Sequence, residues 1–485
     1  MKQQMESTRR VLSRPEKQRA IGSVQGAAVG DALGAPWEFQ LRGSYTQRFP
    51  QPVLGGQGEM TGGGTFGWAL GEFTDDTQMA MALAEALLEC GGYDADAVWK
   101  WFRAWVRTGR DVGVTTRGSL DHADWRDVPP NPRGAGNGAL MRVFPMALAF
   151  LDARDDVARK AVLHHALLTH HDLSAGWGAW IAVAMMRTAI LGGDPVAAVP
   201  SLVDQLPADI RPKFDQLLAS TWTPDDRSQS NGNVWGCLAQ AVWCLRTTTS
   251  FEDAVVAAVS LGDDADTVAC VTGALAGATY GAQAIPSRWV TYVHGSIDSP
   301  RGHLVYRAHD LQRIALELIG VTDRPMTPPE PAAGPVEVAP GLFAADLLGA
   351  AGVPDDWAVV SLTRTADTFL HHPVRRQLFL IDEAGDHNPG LGLVVDDAVR
   401  AIDAFLAENR NVVVHCHGGR SRTGLVLKAW KMCTDGVTER EAHGWLAATW
   451  PRYSDYNQSF VEYLRGSEPE LKTFGSPRPT GLIMG

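Results

Sequence analysis

The stretch from Val268 to Ile285 carries no charged side chain and is rich in Ala and Gly, and it is entered through Leu261-Gly262-Asp263-Asp264-Ala265-Asp266-Thr267. A run so apolar and so small in side-chain volume forms either a tightly packed buried helix or a membrane span. Thr272, Thr279, Tyr280 and Gln283 within it, and the absence of a basic flank before it, point to a buried helix. The acidic turn then sits at the N-terminus of that helix. Three carboxylates in one turn repel one another unless a counter-charge is present, and hard divalent ions take carboxylate, hydroxyl and water oxygens. A lone Asp there would read as a helix cap. The chain repeats the device, however: Phe73-Thr74-Asp75-Asp76-Thr77-Gln78 opens a second largely apolar segment, Met79 to Leu88. Two acidic helix starts, each with a hydroxyl neighbour, suggest one shared site for two metals.

Around these turns the pattern is helical. Ile21 to Ala35 is apolar and carries Gly22, Gly26, Gly30 and Gly34 at every fourth position, so one helical face admits close approach by another helix or a ligand. Asp31 in its middle reads equally as a buried helix-to-helix hydrogen bond or as a support for the metals. Glu38 follows Pro36-Trp37 on a loop, where a carboxylate can reach a ligand, and the glycine-rich Gly55 to Gly67 reads as a lid. Trp99, Trp101, Phe102 and Trp105 form a core stripe. Gly136-Asn137-Gly138 ends a turn-rich loop from Pro129 and can bring backbone N–H groups close to a ligand. From Asp155 helix follows helix: Val157 to Leu168, Gly176 to Leu191, Ile210 to Leu218, Val234 to Leu245, Phe251 to Ser260, and the helix entered at Asp266. His164, His165, His170 and His171 cluster, but imidazole ligation does not suit an oxygen-lined site.

Four blocks carry a resemblance. Gly26 through Glu38, Thr74 through Thr77, Asn137 through Pro145 and Gly262 through Thr267 resemble, in the same order, the motif blocks of the ADP-ribosylglycohydrolases, of which the dinitrogenase reductase-activating glycohydrolases are one branch. Thr169-His170, and Asp111-Val112-Gly113 before Thr115, are further signposts. The resemblance spans about residues 20 to 320 and implies an all-α domain that binds two Mg²⁺ (or Mn²⁺). It implies Thr74, Asp75, Asp76, Asp264, Asp266 and Thr267 as ligands, with Asp263 outside the ligand set. Glu38 would contact a metal or orient the attacking water, Asn137 and Gly138 would hold ADP-ribose, and His170 either touches substrate or is a polar helix end.

Thr322 to Pro340 contains six prolines and little apolar content, and reads as a semi-rigid linker belonging to neither helix nor sheet. Beyond it the pattern changes. Trp357 to Leu362 and Gln377 to Ile381 read as strands, Val395 to Leu406 as a helix, and Asn411 to Val414 as a buried strand feeding His415-Cys416-His417-Gly418-Gly419-Arg420-Ser421-Arg422-Thr423-Gly424. Strand, glycine-bearing loop and helix make an anion site. With its C-x5-R spacing this half resembles the compact dual-specificity and tyrosine-phosphatase-like cysteine phosphatases over about residues 341 to 470. In that scheme Cys416 attacks phosphorus, its ionisation promoted by the helix N-terminus, the loop amides and Arg422. Arg422 grips the phosphoryl oxygens, and His417, Gly418, Gly419, Arg420 and Ser421 line the phosphate loop. Thr423 eases thiophosphate release. An upstream Asp protonates the leaving oxygen: Asp386, with Asp382 as its rival.

The expected layout is multidomain: a flexible tail over 1–20, the helical domain over 21–322, the linker over 323–340, an α/β cysteine-phosphatase-like domain over 341–470, and a tail over 471–485. A net charge of −12 supplies no basic surface of the kind that general nucleic-acid binding demands. Six cysteines without zinc or secreted-scaffold spacing read as reduced thiols in a cytoplasm, and the charged N-terminus as neither signal peptide nor membrane anchor. The expected function is a bifunctional hydrolase. One half removes ADP-ribose from a modified protein or small molecule, and the other dephosphorylates a protein or small molecule. The alternatives are a docking module in place of the phosphatase, or two domains acting in series on one phosphorylated ADP-ribose derivative.

Overall fold

The computed structural model describes residues 10–224, 230–322 and 331–471. The chain divides into two compact units, residues 1–53 with 58–324, and 54–57 with 325–485. The first is helical and the second α/β, which is the fold class expected from the sequence.

In the helical unit the glycine face has a direct structural cause. Helix Arg14–Gly34 lies against helix Ala265–Tyr280 so closely that a Cβ on Gly22, Gly26 or Gly30 would overlap the carbonyl of Gly277, Gly273 or Ala269. One on Gly34 would run into the backbone of Asp266. Gly273 and Gly277 return the relationship against Gly26 and Gly22. Backbone-to-backbone packing of this kind leaves no room for side chains, so the segment from Ala265 to Ala278 is buried throughout. Among the described residues no helix is long and apolar enough to cross a membrane. Helices Asp75–Cys90, Ala95–Trp105, Asp155–Ala166, Leu173–Ile190, Val234–Thr247 and Phe251–Val259 build the surrounding layers. Trp99, Trp101, Phe102 and Trp105 are core. One hairpin joins them, β1 (His294–Ser299) antiparallel to β2 (Gly302–Arg307). It steadies the Thr74 turn, because the Phe73 N–H donates to the His294 carbonyl at 2.9 Å.

Two of the sequence boundaries need correction. Helix Arg14–Gly34 begins inside the stretch read as a tail: Ser13 and Glu16 form a capping box, with the Ser13 N–H donating to Glu16 Oε2 at 2.7 Å and Pro15 in the first turn. The charges of Arg14, Glu16, Lys17 and Arg19 mask a helix start that the Ser-x-x-Glu spacing announces. Residues 1–9 of that tail lie outside the described residues. The expected linker also enters the sheet, since Val336–Ala339 is strand β3. Val-Glu-Val-Ala alternates between Pro335 and Pro340, and an edge strand tolerates proline at its ends. Residues 323–330 of the linker, and 472–485 of the carboxy-terminal tail, lie outside the described residues.

The second unit is built on a five-stranded sheet in the order β3-β4-β7-β5-β6. Strands β4 (Leu342–Ala345), β5 (Ala358–Ser361), β6 (Arg375–Gln377) and β7 (Val412–His415) are parallel, with β3 antiparallel at one edge. The strand expected over Gln377 to Ile381 lies earlier: pairing ends at Gln377, and the carbonyl of Leu380 accepts from the Arg422 side chain instead. All four residues of central β7 are buried. Its carboxyl end opens into the Cys416 loop, the place where parallel sheets present ligands.

Candidate functional site

In the helical unit, Thr74 stands before helix Asp75–Cys90, yet its side chain makes no capping bond. Asp31 supplies the cap from another helix. Its Oδ1 accepts the Thr74 N–H at 2.8 Å and its Oδ2 the Thr77 N–H at 3.0 Å. That leaves the Thr74 hydroxyl and the Asp75 and Asp76 carboxylates for another purpose. Asp264 stands at the N-cap position of helix Ala265–Tyr280, and its carboxylate accepts from Asn137 Nδ2 at 2.7 Å. Thr267 Oγ1 donates to Asp76 Oδ1 at 3.2 Å, tying the two helix starts together. Glu38, Asp111 and Asp266 each bring a carboxylate oxygen to within 4.8 Å of the others.

The electrostatics are those of a site short of positive charge. Burial, then the charges of Asp111, Asp264 and Asp31, push Glu38 up to about 8. Burial raises Asp31 to about 6 against the opposing Thr77 and Thr74 hydrogen bonds, and burial with the Asp264 charge raises Asp111 to about 6. Asp75, Asp76 and Asp266 are held well above the ordinary carboxylate value, first by burial and then by neighbouring carboxylates, led by Asp111, Asp31 and Glu38 respectively. Thr74 Oγ1, Asp76 Oδ2, Asp266 Oδ1 and Glu38 Oε2 are buried with no hydrogen-bond partner among the described residues. Buried, orphaned and anionic oxygens on converging elements fit a hard divalent cation, since an unpaired buried charge is otherwise too costly to keep.

The structure therefore brings Thr74, Asp75, Asp76, Asp264, Asp266, Thr267 and Glu38 into one neighbourhood. Asp263 is different: its side chain is exposed. Asn137 reaches the cluster through Asp264 and also donates from Nδ2 to the Asn231 carbonyl at 3.0 Å. Gly138 lies over the His170 imidazole, which a Cβ there would meet at 2.9 Å. His170 itself is buried behind this loop, with Nδ1 2.7 Å from Thr169 Oγ1. Burial, then the charge of Arg142, lowers it to about 3, so it is neutral. Arg142 is wholly buried and donates to Thr169 Oγ1 at 2.6 Å and His165 Nε2 at 3.1 Å.

Three residues of this neighbourhood carried no firm role in the sequence. Asp111 stood in a family signpost, Asp111-Val112-Gly113, with no role attached to it. Asn231 pins the acidic turn, donating from Nδ2 to the Gly262 carbonyl at 3.0 Å and accepting the Asp264 N–H at 3.2 Å, and nothing in its local pattern announces this. Asp31 was legible as a polar residue on an apolar helix, but not as the cap of another helix.

In the α/β unit, Cys416 is buried at the end of β7 and begins the loop into helix Ser421–Asp435. Gly419 takes φ +66°, and its carbonyl accepts from Trp450 Nε1 at 2.6 Å. The carbonyl of His417 accepts the Leu347 N–H at 3.3 Å, and Gly418 and Arg420 complete the turn. Arg422 Nη1 donates to the Leu380 carbonyl at 3.1 Å. Thr423 Oγ1 is buried without a hydrogen-bond partner among the described residues. The two rival acids are placed differently. Asp382 accepts from Ser421 Oγ, from Tyr456 Oη and from Asn457 Nδ2 (3.3 Å), and lies 3.5 Å from Arg422 Nε. Asp386 is exposed at the tip of a loop that Asn388 closes through two 2.9 Å bonds to the Ile381 backbone.

The family model for ADP-ribosylglycohydrolase matches residues 13–326, and that for the dual specificity phosphatase catalytic domain matches residues 358–468. The ADP-ribosyl-[dinitrogen reductase] glycohydrolase of Rhodospirillum rubrum is 33% identical, over 56% of this chain and 89% of its own. The ADP-ribosylarginine hydrolase Tri1 of Pseudomonas putida (strain GB-1) is 32% identical, over 57% of this chain and 74% of its own. A solved ADP-ribosylglycohydrolase-related protein complex aligns with TM-score 0.52 at 32% identity, covering 63% of this chain and 99% of that one. The acid-rich neighbourhood falls within these matches, and the chain belongs to the ADP-ribosylglycohydrolase family, as a hydrolase that carries a dual-specificity-phosphatase-like domain after its glycohydrolase domain.

Proposed function

We propose that the protein is a bifunctional hydrolase whose helical domain removes ADP-ribose from a modified target with the help of two Mg²⁺ (or Mn²⁺) ions. The observation that carries this reading is the set of orphaned buried oxygens on Thr74, Asp76, Asp266 and Glu38. Thr74, Asp75, Asp76, Asp264, Asp266 and Thr267 would hold the cations, which when bound orient ribose hydroxyls and polarise a water. Asn137 fixes Asp264, while His170 and Arg142 back the Gly136–Gly138 loop on which ADP-ribose would lie. Glu38 takes the proton of the attacking water or latches the ligand. Relatives named for dinitrogen reductase and for arginine linkages support a protein-borne N-glycoside as the first substrate to try. The test is metal-dependent release of ADP-ribose from a panel of arginine, serine, nucleobase and small-molecule linkages, with Asp264→Ala and Asp266→Ala as controls. Unchanged release in both variants would overturn the assignment.

For the second domain the reading is phosphomonoester hydrolysis. The Cys416 thiolate forms a bond to phosphorus as the ester oxygen leaves with a proton from Asp386; water then attacks phosphorus, giving a proton back to Asp386, and the S–P bond breaks to release phosphate and the thiolate. Arg422 holds the phosphoryl oxygens and Thr423 donates to the departing sulfur. Asp386 is preferred as acid because both oxygens of Asp382 already accept hydrogen bonds. A thiolate nucleophile needs a reducing compartment, so we place the protein in the cytoplasm. Phosphate release from an aryl phosphate by the full chain, absent in Cys416→Ser, tests this half. Phosphate binding without turnover would mark it as a docking module.

A further inference from the structure

Strand β6 is an edge of the carboxy-terminal sheet, and the turns that precede β5 and β6 carry Asp355 and the pair His371-His372. One donor atom from each of the three lies within 4.8 Å of the others. His371 Nε2 stands 3.9 Å from Asp355 Oδ1, too far for a hydrogen bond but suited to two ligands of one ion. The two imidazoles lie with centroids 4.3 Å apart and planes inclined by 47°.

His372 supplies the independent observation. Its side chain is fully buried, and Nδ1 lies 3.3 Å from the carbonyl of Trp357. A carbonyl only accepts, so Nδ1 carries the hydrogen and the ring's lone pair is on Nε2, which is buried with no partner among the described residues. A histidine whose one nitrogen is tied to a backbone carbonyl while the other offers an unused lone pair is arranged as metal-bound histidines are.

We propose that Asp355, His371 and His372 form a second metal site, separate in chemistry from the carboxylate cluster, for a borderline-soft divalent cation of the Zn²⁺ type. Two imidazoles and one carboxylate favour Zn²⁺ over Mg²⁺, and three protein ligands leave a fourth position for water. The site acts as a clip. It fastens the segment before β6 to the turn before β5, and Phe369 within that segment packs between His372 (5.8 Å between centroids) and His415 (4.8 Å), the residue that precedes Cys416. This inference does not depend on either proposed reaction.

The experiment is a Zn²⁺ titration by calorimetry of the full, chelator-stripped chain, carrying Cys416→Ser so that the thiol does not compete, in excess Mg²⁺. Co²⁺ serves as a parallel probe read by its visible absorption. The comparison is the same chain with Asp355→Asn and His371→Ala added, both at exposed positions, with circular dichroism confirming the fold. The proposal expects one equivalent of Zn²⁺ to be lost, or its affinity to fall at least about 100-fold, in the variant, since losing direct ligands costs no less than losing their supports. Loss of the imidazole-dependent Co²⁺ spectrum should accompany it. Equal uptake by the two proteins, or none by either, would overturn it.

Discussion

The N–H of Phe39 donates to the carbonyl of Asp263 at 2.6 Å, and the N–H of Asp263 returns a bond to the Gln40 carbonyl at 3.0 Å. Both are non-glycine residues in the left-handed region, at φ +63° and +54°. The exchange locks the loop bearing Glu38 to the turn bearing Asp264 and Asp266, so these acids move as one piece. Left-handed backbone on two side-chain-bearing residues stores strain of about 1–3 kcal/mol each, and it persists because the reciprocal bonds over-determine it.

Asp263→Val tests that lock. A β-branched side chain tolerates positive φ poorly, and the variant is expected to lose about 1–2 kcal/mol of stability in chemical denaturation, whereas Asp263→Gly should match or exceed the parent. Because the Asp263 side chain is exposed, an equal response to both substitutions would mean that the backbone conformation is not what matters.

The glycine face gives a second contrast. In Gly30→Ala the new methyl overlaps the Ala269 carbonyl, where backbone cannot yield, so a loss of at least about 3 kcal/mol, or failure to fold, is expected. In Gly118→Ala, within helix Val114–Leu120, the methyl meets nothing and helix propensity should raise stability by about 0.5–1 kcal/mol. Similar denaturation midpoints for the two would contradict the packing described above.

Much of this was readable from the residues, and the exceptions share a cause. Period-four glycines and an uncharged run announce two helices in close contact, because each signal lies within one segment. The Thr-Asp-Asp and Asp-x-Asp-Thr starts announce carboxylates that need a counter-charge. What escaped was the pairing of distant segments. Asp31 capping the Asp75–Cys90 helix, Asn231 holding the Asp264 turn and Asp111 joining Glu38 are each set by tertiary proximity, to which local pattern is blind. Likewise β3 hid between prolines, and β6 proved shorter and earlier than its apolar neighbours suggested: the Leu378 N–H makes a last bond to the Ser361 carbonyl, and the Leu380 carbonyl turns to Arg422.

Without divalent cation the carboxylate cluster makes the fold sensitive to pH. Asp31 and Asp111 are raised to about 6 and Glu38 to about 8, so the folded state binds protons that the unfolded chain has already released. Stability is then greatest below the ordinary carboxylate range and falls as pH rises, first toward 6 and then toward 8. The melting temperature in chelator is expected to drop between pH 5 and pH 8 by the scale of this effect, roughly a few degrees or more. Added Mg²⁺ should flatten the profile by supplying the missing charge. A chelated protein with the same midpoint at both pH values would contradict the raised carboxylates.

The choice between Asp386 and Asp382 yields the last expectation. Asp382 is enclosed by Ser421, Tyr456, Asn457 and Arg422, an arrangement that builds the phosphate loop and leaves no oxygen facing a leaving group. Asp386 has the opposite situation: it is exposed, on a loop fastened at its base by Asn388 to Ile381 and at Gly385, whose N–H donates to Ser459 Oγ at 2.7 Å. A general acid contributes in proportion to the need of the departing oxygen for a proton. Asp386→Asn is therefore expected to lower kcat by about 10²–10³ for an alkyl phosphate, and far less for a nitrophenyl phosphate whose leaving group needs no proton. Asp382→Asn should lower kcat/KM for both substrates alike, because it disturbs the grip of Arg422 and not the proton transfer. If the leaving-group dependence appears in Asp382→Asn and not in Asp386→Asn, the roles are reversed, and the loop must close differently once phosphate is bound.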